Sequence, residues 1–88
     1  QKSVKASAEG KVVFLGYIKG WGETLMIQHT SSLYTIYANL DNVSVKEGSF
    51  TKKNDTIASV ASGKNGNQIL HFEIRKNCIP QNPLKYIN

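Results

Sequence analysis

Apolar residues recur at every second position through most of this chain, and clusters of glycine, asparagine and serine interrupt them. A period of two is the signature of strands with distinct faces, and no stripe of helical spacing competes with it. Lys11 to Leu15 reads as a buried strand ending at Gly16. Leu25 to His29 reads as a second, after the turn Gly20-Trp21-Gly22. Leu33 to Leu40 forms a third, joined to the second by the hairpin loop Thr30-Ser31-Ser32. On this third strand the alternation assigns Tyr34, Ile36, Ala38 and Leu40 to the core, leaving Leu33, Thr35, Tyr37 and Asn39 on the other face.

Val43, Val45, Phe50, Ile57 and Val60 imply further short strands, with turns at Glu47-Gly48 and Lys53-Asn54-Asp55, and Gly63-Lys64-Asn65-Gly66-Asn67 reads as a loop. After it, Leu70, Phe72 and Ile74 point one way while Ile69, His71, Glu73 and Arg75 point the other. The tail through Pro80 and Pro83 is expected to be extended or turned. The fold class expected is all-β: a twisted antiparallel sheet curled into a barrel-like sandwich. No internal repeat or linker divides the chain, and 88 residues make one domain, 1–88, because a chain this short buries only roughly 60–65% of its unfolded surface.

Composition narrows the partners. Eleven Lys and Arg against six Asp and Glu give a formal charge of +5, but no basic run exceeds two residues. Scattered lysines of this kind read as solvated surface, and they lack the interleaved aromatics that base stacking needs, so nucleic acid is not an expected partner. The single cysteine, Cys78, excludes an internal disulfide or a cysteine-rich zinc site. No apolar run approaches the ~20 residues that span a bilayer, so this segment is not expected to cross one. Asn42-Val43-Ser44 and Asn54-Asp55-Thr56 fit the glycosylation triplet, a pattern too short to carry weight.

Several separate stretches, taken in order, resemble one family. They are Val4-Lys5-Ala6-Ser7-Ala8-Glu9-Gly10-Lys11-Val12, Gly20-Trp21-Gly22, Met26-Ile27-Gln28-His29, Tyr34 to Leu40, Val45-Lys46-Glu47-Gly48, Leu70 to Arg75 and Asn82 to Tyr86. Together they resemble the LytM-type, lysostaphin-like zinc endopeptidase domains, and the resemblance spans nearly the whole chain. In active members, it implies, zinc is held by an H-x-x-x-D motif and by the second histidine of H-x-H. Histidines opening H-x-H and closing Y-x-H assist the attacking water.

His71 matches the zinc-binding histidine of H-x-H, Ile69 matches its first histidine, and Asn39 matches the histidine of Y-x-H. Ile69 exchanges no proton, and the Asn39 amide does not titrate near neutral pH. The H-x-x-x-D motif belongs upstream of Val4, where this sequence does not supply it. One relic ligand, His71, is short of the three that catalytic zinc takes, so no metal and no cofactor are expected. General acid or base help is worth ~10²–10⁴-fold, and its loss predicts a pseudoenzyme.

The resemblance is to the degenerate LytM domains of the NlpD and EnvC type, which bind and switch on N-acetylmuramoyl-L-alanine amidases. It implies the C-terminal part of a longer exported protein in the bacterial envelope, with a cell-wall amidase or another envelope protein as partner, and peptidoglycan as a further ligand. The expected partner-binding groove comprises Trp21, Tyr37, Asn39, Ile69, His71, Glu73 and Arg75. Tryptophan, tyrosine and arginine are among the residues enriched in interface hot spots. His29, in phase with Leu25 and Ile27, reads as a satisfied core or edge histidine rather than a ligand. The alternatives are a peptidoglycan-binding or scaffolding module, and a zinc endopeptidase using upstream ligands. A lipoyl or biotinyl carrier ranks lower, because Met26 has no lysine beside it.

Overall fold

The computed structural model describes residues 2–62, 69–77 and 79–81, the last three by backbone alone. The loop expected at Gly63 to Asn67, Cys78 and the motif Asn82 to Tyr86 lie outside the described residues. Among the described residues eight strands account for the regular structure: β1 (Ser3–Lys5), β2 (Gly10–Ile18), β3 (Gly22–Gln28), β4 (Leu33–Asp41), β5 (Phe50–Thr51), β6 (Thr56–Val60), β7 (His71–Lys76) and β8 (Ile79–Gln81). All pairings are antiparallel and belong to one curled sheet in the order β1-β6-β4-β3-β2-β5, with β7 also paired to β4 and β8 paired to β7.

The all-β architecture agrees with the period-two pattern, and the sheet closes halfway toward a barrel. The core inside the curl is built from Val4, Ala6, Val12, Leu25, Ile27, Tyr37, Leu40, Ile57, Ala58 and Val60. Val43 and Val45 pack against it, but residues 43–46 form no ladder strand; Ser44 instead ties back through its amide to Ile57 O at 2.9 Å.

The central strand β4 corrects the expected face assignment. Tyr37 belongs to the core cluster, whereas Ile36 and Ala38, 3% and 0% exposed, do not. The ladder gives the reason: Tyr37 opposes Phe72, while Ile36 opposes Glu73 and Ala38 opposes His71. Residues directly opposite share a face, so His71 and Glu73 stand over Ile36 and Ala38, and Tyr37 points the other way.

Leu40 returns to the core because β4 bulges. Glu23 pairs with Leu40 and Leu25 with Tyr37, so Ala38 and Asn39 oppose the single residue Thr24. Such a bulge kinks its strand and shifts the side-chain phase. Asn39 adopts φ = 63°, a left-handed conformation that Asn, Asp and His populate several-fold more than other side chains.

At that bulge the sheet forks. β4 pairs with β7 through Leu33 to Ala38 and with β6 through Leu40 and Asp41.

Candidate functional site

Asn39 stands at the fork and ties three segments together. Its N–H donates to Trp21 O at 2.9 Å, its carbonyl accepts from Ala61 N–H at 2.8 Å, and its Nδ2 donates to Ile69 O at 2.6 Å. The side-chain amide thus carries the link to β7's approach where the bulge interrupts the ladder. Trp21 is presented by the β2–β3 turn, closed by Trp21 N–H to Ile18 O at 2.9 Å. Gly20 and Gly22, at φ = 88° and 79°, supply the two positive dihedrals this turn requires.

These elements enclose an open groove of about 390 Å³, lined by Tyr17, Gly20, Trp21, Gly22, Asn39, Ile69 and His71. Four of the residues expected there, Trp21, Asn39, Ile69 and His71, are brought together. The Trp21 and His71 rings lie 4.6 Å apart at 43°, and Ile69 is 66% exposed.

Glu73 and Arg75 continue the line of His71 along β7. His71 Nε2 lies 2.6 Å from Glu73 Oε2; Arg75 Nε and Nη2 reach Glu73 Oε1 at 3.0 and 2.8 Å. Burial pushes the Glu73 carboxyl up, but the hydrogen bonds from His71 and Arg75, with the Arg75 charge, outweigh it and hold the group below the usual carboxylate range. A carboxylate accepts only, so His71 Nε2 carries the proton in this pair.

Tyr37 does not line the groove. It is 1% exposed, its ring packs 5.1 Å from that of Phe72, and its phenol accepts from Ser7 N–H at 3.0 Å and meets Ser7 Oγ and Thr35 Oγ1, each at 3.1 Å. The face inversion in β4 is the cause.

His29, in keeping with its structural reading, is held at both nitrogens: Nδ1 lies 2.6 Å from Glu9 O and Nε2 2.7 Å from Thr35 Oγ1. Tyr17, which lines the groove and is 74% exposed, escaped the sequence reading. Its signal was an aromatic placed just before a glycine turn.

The donor set does not fit zinc. Among the described residues no group of three or more His, Cys, Asp or Glu side chains could hold a metal ion. Ile69 has no donor atom in its side chain, Asn39 has spent its amide on Ile69 O, and His71 and Glu73 satisfy each other. What the groove offers is an aromatic wall, an apolar rim and a neutralised polar row, which are means of binding.

The profile of Peptidase family M23 matches residues 1–83. Uncharacterized lipoprotein YgeR of Escherichia coli is 34% identical over 85 residues, covering 96% of this chain and 34% of YgeR. Murein hydrolase activator NlpD of Escherichia coli is 33% identical over 87 residues, covering 98% of this chain and 23% of NlpD. The chain therefore spans about a third of one curated relative and a quarter of the other. Among solved structures, a chain of the SpoIIQ-SpoIIIAH pore-forming complex superposes with a TM-score of 0.81 at 31% identity, covering 99% of this chain and 58% of that one.

Proposed function

Because this chain belongs to Peptidase family M23 yet surrounds its one groove histidine with Asn39 and Ile69, we propose that it regulates peptidoglycan hydrolysis without cutting. In this reading it works in the bacterial envelope by binding and activating an N-acetylmuramoyl-L-alanine amidase through the groove between Trp21 and His71. The observation that carries the reading is the state of that histidine. Its Nε2 is committed to Glu73, and its neighbours Asn39 and Ile69 cannot relay a proton. The relative NlpD, a murein hydrolase activator, supports the regulatory part, and the lipoprotein YgeR supports the location.

The amidase-specific part rests on the groove's surface. Trp21 beside His71, with Ile69 exposed at the rim, gives a partner an aromatic anchor and an apolar contact. The test uses the full-length protein with its amidase on dye-labelled sacculi. Stimulation that falls strongly in Trp21→Ala and Ile69→Asp, with no dye released by the protein alone, supports the proposal. Chelator-sensitive release by the protein alone, or no stimulation of any amidase from the same cell, ends it.

A relative seated in a pore-forming complex supports a second reading, an envelope scaffold. Retention on sacculi that persists without any amidase and fades with salt would favour it.

A further inference from the structure

The outer edge of β2 is half used. β5 pairs only with Gly10 and Lys11; Val12 then exchanges bonds with the following turn, its N–H to Ser49 O at 2.8 Å and its carbonyl from Gly48 N–H at 2.9 Å. Beyond Val12 no described strand lies on this side. The strand alternates, so the backbone groups of Gly16 and Ile18 face β3, the Ile18 carbonyl taking Trp21 N–H, while those of Leu15 and Tyr17 face outward. The Leu15 N–H is covered by a side chain: Glu47 Oε1 accepts it at 3.1 Å.

Folded proteins usually blunt such an edge with charge, proline or a covering loop. Here the edge instead gathers Val13, Tyr17 and Ile18, three of the six large hydrophobic side chains exposed among the described residues, at 37%, 74% and 37%.

We infer that Leu15 to Ile18 on β2 is a second docking site, which accepts an extended segment of a partner protein as an added strand, apolar in its middle and acidic at its ends. Backbone hydrogen bonds to Leu15 and Tyr17 supply the affinity, and Val13, Tyr17 and Ile18 read the segment's side chains. Glu47 is the placeholder: its carboxylate leaves the Leu15 amide when a peptide carbonyl arrives.

Charge selects the occupant. Lys19 is exposed at one end of the free edge, and Lys11, exposed on the stretch paired to β5 with its Nζ 5.9 Å from the Phe50 ring centroid, lies beyond the other, so a docked segment meets positive charge near both ends. A second copy of the chain is the wrong partner, because antiparallel pairing about Leu15 would drive its Ile18 and Lys19 onto the edge of Val12 and Lys11 that Gly48, Ser49 and Phe50 already occupy. The chain's net charge of +5 adds repulsion between copies. The site adjoins the groove, which Tyr17 also lines, but its hydrogen bonds are made by the backbone of Leu15 and Tyr17 and not by groove side chains.

The experiment uses the isotope-labelled full-length protein and a short acetylated peptide of alternating valine and threonine with aspartate at both ends. A second peptide carries lysine in place of the aspartates. Binding of the acidic peptide should slow hydrogen exchange at the Leu15 and Tyr17 amides and should weaken with salt.

Tyr17→Pro removes an outward N–H where an edge strand tolerates proline, and should weaken binding by about tenfold or more; Tyr17→Thr keeps the amide and should stay within about threefold. The inference is overturned by unchanged exchange at both amides, by equal binding of the lysine peptide, by equal losses in Tyr17→Thr and Tyr17→Pro, or by dimerisation through this edge.

Discussion

Replacing Tyr37 by Phe tests the inverted face of β4 and the polar network beneath it. The ring stays, so its contact with Phe72 and nearly all of its volume are kept, and no cavity opens. What goes is one phenol oxygen, which satisfies Ser7 N–H and meets the hydroxyls of Ser7 and Thr35. Thr35 keeps His29 Nε2 as a partner at 2.7 Å, and the Ser7 hydroxyl is half-buried, so the Ser7 amide bears most of the loss.

Leaving one such donor unpaired costs about 1–3 kcal/mol, and the weakened hydroxyl contacts bring the total to about 2–3 kcal/mol. For a domain of this size that lowers the melting temperature by roughly 8–24 °C. Urea unfolding should show a lower midpoint with an unchanged slope. Below the melting range the variant should match the parent in the amidase assay proposed above, since the phenol faces away from His71. A loss under about 0.5 kcal/mol would show that the network contributes nothing net. Lost stimulation at unchanged stability would refute the face assignment.

Asn39→Ala forces a poor side chain into φ = 63° and removes the bond to Ile69 O; a loss of about 1–2 kcal/mol is expected, and Asn39→His should retain more stability because histidine tolerates that conformation, both read by urea titration. The Glu73 carboxyl, held low in the folded state, contributes stability that is present above its unfolded pKa and lost as pH falls through its folded value. Glu73→Gln removes that contribution, so the stability curves of parent and variant should converge in acid across the ordinary carboxylate range and just below it. Dialysis against chelator should leave the melting temperature, and the proposed amidase stimulation, unchanged, since the groove's donors satisfy one another.

The strands flanked by strong turn residues were legible in the sequence: Leu25 to His29 and Leu33 to Leu40 fall within or beside β3 and β4, and Leu70 to Arg75 within one residue of β7. The phase of β4 was not. Thr35 and Tyr37 are as deeply buried as Ile36 and Ala38, so the strand is covered on both sides and alternation alone carries no sign. A tyrosine with a hydroxyl to satisfy looks like a surface residue until Ser7, thirty positions away, is brought to it. The bulge at Ala38 and Asn39 hid a second way, by restoring Leu40 to the core after an apparent shift. The β7 row was readable because Phe72 and Ile74 differ plainly from His71, Glu73 and Arg75. The ladder between β1 and β6 was missed, since Ser3-Val4-Lys5 offers a single apolar residue as its signal.

The fork at Asn39 has a consequence for how this scaffold can diversify. The carbonyl of Asn39 holds Ala61 and its side chain holds Ile69, so both ends of the intervening stretch are moored to one residue. Asn39 is therefore a position at which one substitution disturbs the exit from β6 and the approach to β7 together, so sequence change in this scaffold is better tolerated away from it.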